Sequence, residues 1–144
     1  MEPSFAAVHL VFSCPAGWFA VPASVSAEIV QVPELVRVPG APEHVRGIFH
    51  FRGEVIPLID LSQLFGVHAE PGRRALLVRS DKGNLALPTQ TVLGLSELPG
   101  ELEPMASSGF RAHLRGPAQV KEHSVFVLEP AGFLEFLGTA RAGQ

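Results

Sequence analysis

Thirteen prolines and fourteen glycines are spread along nearly the whole of a 144-residue chain, and this punctuation constrains the fold more than any other feature. Proline removes a backbone donor and glycine raises the entropic cost of ordering, so long helices find little room and short strands joined by turns are favoured. The apolar runs agree. Residues 6–13 (AAVHLVFS) and 18–21 read as two arms of a hairpin about a turn at 14–17, and Pro22 ends the second arm. Residues 23–27 are compatible with a helical turn, and 28–32 (EIVQV) alternate as a strand does.

After the rigid connector 38–42 (VPGAP), residues 42–46 read as one helical turn with Pro42 near its start, broken by Gly47. The stretch GIFHFRGEVIPLIDLSQLFG follows. Residues 48–51 and 55–59 face each other across Arg52-Gly53, where glycine supplies the positive φ that a tight hairpin demands. Pro57 cannot donate to a ladder, so its strand is expected to be an edge or to turn position 57 outward. Asp60 opens a brief helix by capping it, with Gln63 reaching back and Gly66 closing the end. Further strands are expected at 75–79, 85–87, 92–95 and 125–128, with a turn at 80–84, a loop over 97–109 and a terminal amphipathic helix at 131–137 that partly buries Phe133, Leu134, Phe136 and Leu137. VIPLIDLSQLFG from Val55 and VFVLEPAGFLEFLG from Val125 echo each other, and each follows an Arg-Gly pair, Arg52-Gly53 and Arg115-Gly116. One loose repeat is too little for a solenoid and fits two related small barrels.

With 47% hydrophobic residues the chain can build one ordinary core or two small ones. Cys14 is the only cysteine, which forbids an intramolecular disulfide. The first residues lack a basic leader with a small-residue cleavage pattern, and no uncharged apolar run is long enough for a bilayer, so a cytoplasmic protein without membrane insertion is expected. Net charge is −3 and the arginines are scattered. Without a basic tract to displace counterions, nucleic acid is not an expected partner.

Chemistry leaves equally little trace. The histidines at 9, 44, 50, 68, 113 and 123 show no ligand-like spacing, so no metal or cofactor is expected, and His50 reads as a barrel residue with one hydrogen-bonded nitrogen. Neither a G-x-S-x-G elbow nor a phosphate-binding loop is present, and Cys14 lies in a turn without basic neighbours. Glu54 and Asp60 share a face of one strand at wide separation, which suits a solvated charge and a helix cap better than an acid–base pair. No catalytic residue is expected. Arg52 differs from these groups, since a hairpin tip on stiff strands presents a guanidinium to a partner at low entropic cost.

The stretch 47–61 closely resembles the hallmark of CheW-type chemotaxis adaptor domains, roughly G-v-x-N-L-R-G-x-h-h-P-h-h-D-L. Glu28-Ile29-Val30, Pro39 and Ala41-Pro42 also fall where such domains carry E-I-V and v-P-x-a-P. The resemblance covers most of the chain and implies one CheW-like domain over residues 1–144, mainly β, made of two five-stranded SH3-like β-barrels with a core in each and another between them. It implies a non-enzymatic adaptor of a bacterial chemosensory system, clustered at membrane-associated receptor arrays. Its partners would be the regulatory domain of a CheA-type histidine kinase and the cytoplasmic tip of a chemoreceptor. Carried onto this chain, the partner-binding positions are Ser26, Glu28, Gly47 and Arg52, with Gly53 and Asp60 structural beside them and Asp60 orienting Arg52. The sequence departs from the pattern at His50-Phe51 in place of Asn-Leu, at residues 88–92 (PTQTV) and at Leu128-Glu129-Pro130. These changes touch partner identity more than fold. The alternatives are a divergent interaction module of another motility or signalling pathway, and a small β-barrel enzyme.

Overall fold

The structure is a computed structural model that describes residues 7–142, without the side chains of Ser26 and of residues 138–142. Among the described residues, ten strands form two five-stranded sheets. In chain order they are β1 (Ala7–Cys14), β2 (Gly17–Pro22), β3 (Ser26–Gln31), β4 (Val45–Phe51), β5 (Glu54–Ile59), β6 (Arg74–Ser80), β7 (Gly83–Pro88), β8 (Thr91–Leu98), β9 (Leu114–Val120) and β10 (His123–Leu128). A one-turn helix α1 (Leu61–Leu64) follows β5, and α2 (Pro130–Ala142) follows β10.

The sheets are ordered β8-β1-β2-β10-β9 and β3-β6-β7-β5-β4. Strand for strand these are the same arrangement, with parallel contacts at β2–β10 in one and β5–β7 in the other and antiparallel contacts elsewhere. Only the chain order differs. The second barrel is continuous, β3 to β7, whereas the first takes β1 and β2 from one end of the chain and β8 to β10 from the other. Each barrel is drawn together where the segment after one edge strand, β3 or β8, reaches the opposite edge. Val36 and Ile48 exchange backbone hydrogen bonds at 2.8 and 2.9 Å, and Met105 and Gly116 donate to Leu114 and Glu103 at 2.8 and 2.9 Å.

Alternation of side chains along these strands sorts the apolar residues into three cores. Val11, Ala20, Ala118, Val125 and Val127 fill the first barrel. Val30, Phe49, Ile56, Leu58, Ala75, Leu77 and Ala86 fill the second. The largest core lies between them, where Phe12 and Phe19 meet Leu76, Leu85 and Leu87, and where Phe133 and Leu137 of α2 are buried. α2 therefore belongs to the interface between the barrels.

The expected hairpins at Arg52-Gly53 and at residues 80–84 form, and α1, its cap on Asp60 and the terminal helix stand where the sequence places them. Ala6 lies outside the described residues. Several details differ. Residues 23–25 are a turn and β3 begins at Ser26, so the expected helical turn at 23–27 is absent. Residues 42–45 likewise make a turn that feeds β4 directly, because Val45 N donates to Pro42 O at 3.0 Å and a proline at the turn's start satisfies it without a helix. Gly47 lies inside β4, not at a helix end. β5 is not an edge: it pairs with both β4 and β7, and position 57 faces away from the barrel core, the other arrangement expected for Pro57. Residues 97 and 98 extend β8. β9 was not expected at all, since Gly116 and Pro117 interrupt its apolar pattern; it stands at a sheet edge, where a missing donor costs little.

The internal repeat is real but sits in a different register. Arg115-Gly116 corresponds to Arg46-Gly47 near the start of β4, and the counterpart of Arg52-Gly53 is Lys121-Glu122 in the β9–β10 turn. Arg46 and Arg115 each bond a carboxylate 14 residues later, Asp60 and Glu129 respectively.

Candidate functional site

Inside the second barrel the core positions recur every second residue, and one step further along four strands the pattern turns polar. Val30 gives way to Glu28 on β3, Ile56 to Glu54 on β5, Leu77 to Arg79 on β6 and Ala86 to Asn84 on β7. These four residues close one mouth of the barrel. Arg79 Nη1 bonds Glu54 Oε1, and its Nη2 lies 3.7 Å from Glu28 Oε2. Asn84 Nδ2 donates to Glu54 Oε1 at 3.3 Å. Thus Glu54 is a paired member of a cluster, not the solvated turn charge its position beside the hairpin suggested.

Arg52 sits above this mouth at the tip of the β4–β5 hairpin. Its φ is 53° and that of Gly53 is 81°, the left-handed pair required by a two-residue turn that matches strand twist. For glycine that conformation is free; for arginine it stores strain on the order of 1–3 kcal/mol. The strained residue is also the exposed one, with 67% of its side chain accessible. Its guanidinium lies 4.6 Å from the centroid of the Phe51 ring, and Nη1 donates to Glu28 Oε2 at 3.0 Å. The sequence-predicted pair Glu28 and Arg52 is therefore brought into direct contact across two strands.

The remaining predicted residues divide. Ser26 begins β3 opposite Arg79, and its side chain lies outside the described ones. Gly47 is buried within β4 and apart from this cluster. A Cβ there would meet Val36 O at 2.8 Å, so this glycine is what permits the close bridge that draws the barrel together. Asp60 is buried at the opposite mouth and does not orient Arg52. Its Oδ2 accepts from Arg46 Nε at 2.8 Å, while Oδ1 caps α1 through Gln63 N at 3.3 Å. Arg46 also donates to Ala69 O at 3.1 Å, so it ties β4, the start of α1 and the following loop together. The side chain of Gln63 turns to Glu43 instead of closing a capping box. His50 faces outward and is exposed, since Phe49 and Phe51 hold the inward positions of β4.

Sequence reading missed Arg46, Arg79 and Asn84. Arg46 had a signal in the Arg-Gly repeat at 46–47 and 115–116; Arg79 and Asn84 become visible only once strand register is known. Burial pushes the Cys14 thiol up, against smaller opposing hydrogen bonds from Ser62 and the backbone of Ala16 and Gly17. Burial also lowers His44. Among the described residues no cluster of three or more His, Cys, Asp or Glu side chains is arranged for a metal ion, and no helix is long and apolar enough to cross a membrane.

Residues 9–137 match the CheW-like domain family. The chain belongs to that family. CheW-like proteins are non-enzymatic scaffolds, and the fold agrees with one of them. The crystal structure of scaffolding protein TtCheW from Thermoanaerobacter tengcongensis superposes with a TM-score of 0.71 at 22% identity, covering 89% of this chain and 86% of that one. The Chemotaxis protein CheW of Helicobacter pylori (strain ATCC 700392 / 26695) is 44% identical over 52 residues, 36% of this chain. That match spans about a third of the curated relative's length, 32%.

Proposed function

We propose that this CheW-like chain is an adaptor that couples chemoreceptors to a CheA-type histidine kinase, and that it does so through protein surfaces and not through chemistry. The observation that carries the reading is Arg52, a strained and exposed arginine over a pre-formed ion cluster. Strained backbone clusters at functional sites, and arginine is among the residue types enriched at interface hot spots. Glu28 supplies its resting counter-ion, and Ser26 starts the adjoining strand. Gly47 contributes indirectly, by holding the β4 edge that carries the hairpin. The kinase's regulatory domain is the partner proposed for this corner, with the receptor's cytoplasmic tip as the second; the adaptor would work in the cytoplasm beside receptor arrays.

The test is a pull-down of both partners with the wild-type chain and with Arg52→Glu. Charge reversal at a hot spot is expected to weaken kinase binding by more than about tenfold. Retention of full kinase affinity by a folded Arg52→Glu protein removes Arg52 from the interface.

A further inference from the structure

Glu28 lies between two cations, 3.0 Å from Arg52 and 3.7 Å from Arg79, and the two arginines are differently placed. Arg52 is largely exposed, while Arg79 has a side-chain accessibility of 25% and spans both Glu28 and Glu54. The cluster of two arginines and two glutamates is neutral as it stands. If Arg52 turns to a partner, Glu28 is left beside Arg79 alone, still neutralised and still held. Arg52 meanwhile has most of its five N–H donors free of Glu28, in a planar fork suited to a carboxylate.

We propose that Arg79 is the positioning residue of the docking corner: it fixes and neutralises Glu28 so that Arg52 can exchange this internal carboxylate for an aspartate or glutamate presented by the partner protein. This rests on the reading of Arg52 as a docking point. Arg79 need not touch the partner. Its action runs through Glu28, which in its absence competes with the partner for Arg52 and keeps the guanidinium at home. A lysine in its place offers one point charge and cannot bridge both carboxylates.

The experiment measures affinity for the purified regulatory domain of a CheA-type histidine kinase, with folding followed by circular dichroism. Arg52→Ala reports on the docking reading alone. Arg79→Gln is expected to weaken binding by about tenfold and Arg79→Lys by a few-fold, about threefold. The double variant Glu28→Gln/Arg79→Gln, which removes the competing carboxylate, is expected to return to within about twofold of wild type. That rescue separates positioning from mere structural support, and it also decides the matter if Arg79→Gln alone fails to fold. Wild-type affinity in Arg52→Ala overturns the docking reading and this proposal together. Loss in Arg52→Ala with none in Arg79→Gln overturns the role of Arg79 only. Loss of binding in Glu28→Gln, with or without Arg79, overturns the exchange and shows that Glu28 itself meets a cation on the partner.

Discussion

The two barrels share a strand arrangement and diverge at equivalent places. In the second barrel, Asn84 and Glu54 stand one inward step beyond Ala86 and Ile56 and join an ion cluster; in the first, the same places beyond Ala20 and Val125 hold Trp18 and His123, stacked with ring centroids 4.1 Å apart. At the other mouth, the Arg46–Asp60 pair leaves side-chain accessibilities of 23% and 5%, whereas the equivalent Arg115–Glu129 pair leaves 39% and 42%. One backbone plan thus tolerates an apolar plug or a charged lid. The charged lid coincides with the exposed arginine proposed as the docking point.

The sharpest break in that comparison is expected between the two arginine–acid pairs. Asp60→Asn strips a buried charge from Arg46 and is expected to destabilise by about 3 kcal/mol, whereas Glu129→Gln, in a half-exposed pair, is expected to cost under about 1 kcal/mol. Chemical denaturation of both variants checks this, and equal losses would show that burial does not distinguish the pairs. Next in size is the plug. Trp18→Ala removes a half-buried indole and its stack on His123, an expected loss of about 2–3 kcal/mol by thermal or urea unfolding.

The two turn residues sharpen the comparison further. Lys121, with φ 56°, matches Arg52 in the first barrel. Lys121→Asn is expected to stabilise by about 0.5–1 kcal/mol, because asparagine tolerates the left-handed region. Arg52→Asn relieves the same strain but loses the exposed pair with Glu28, so its stability is expected to stay within about 1 kcal/mol of wild type while kinase binding is lost. A large destabilisation would make Arg52 a structural residue.

The smallest effect concerns pH. His44 lies beside Val45, Ile59 and the α2 residue Leu134, and burial lowers its titration below the usual imidazole value. The unfolded chain therefore binds a proton more readily, so this group's contribution to stability is present above the unfolded histidine value near pH 6.5 and falls away as pH drops through the lower, folded one. Stability curves should show wild type losing stability more steeply than His44→Gln as pH falls across that window, and parallel curves would show that His44 is not responsible.

Much of the fold could be read along the chain, because hairpin turns, caps and alternation are local. Arg52-Gly53, the Asp60 cap and the apolar arms of β4 and β5 all follow from neighbours within a few residues. The candidate site was legible in part: Arg52 and Glu28 came from the motif, but their contact crosses 24 residues, and the second cation beside Glu28, Arg79, is reached only through the pairing of β3 with β6. β9 escaped notice because an edge strand needs neither a continuous apolar face nor a full set of donors, the two signals by which strands are recognised. The sequence leaves the register of the repeat open because Arg-Gly occurs at both 46–47 and 52–53, and only the placement of Arg46 on Asp60 and Arg115 on Glu129 chooses between them.

By itself the sequence determined a strand-rich chain with a glycine-aided arginine tip and a capped helix after it, since each depends on φ preferences and on hydrogen bonds between near neighbours. Tertiary structure alone decided which charges meet, which mouth is apolar and which barrel the chain's two ends complete. Those outcomes depend on strand register, where a shift of one residue carries every side chain to the opposite face.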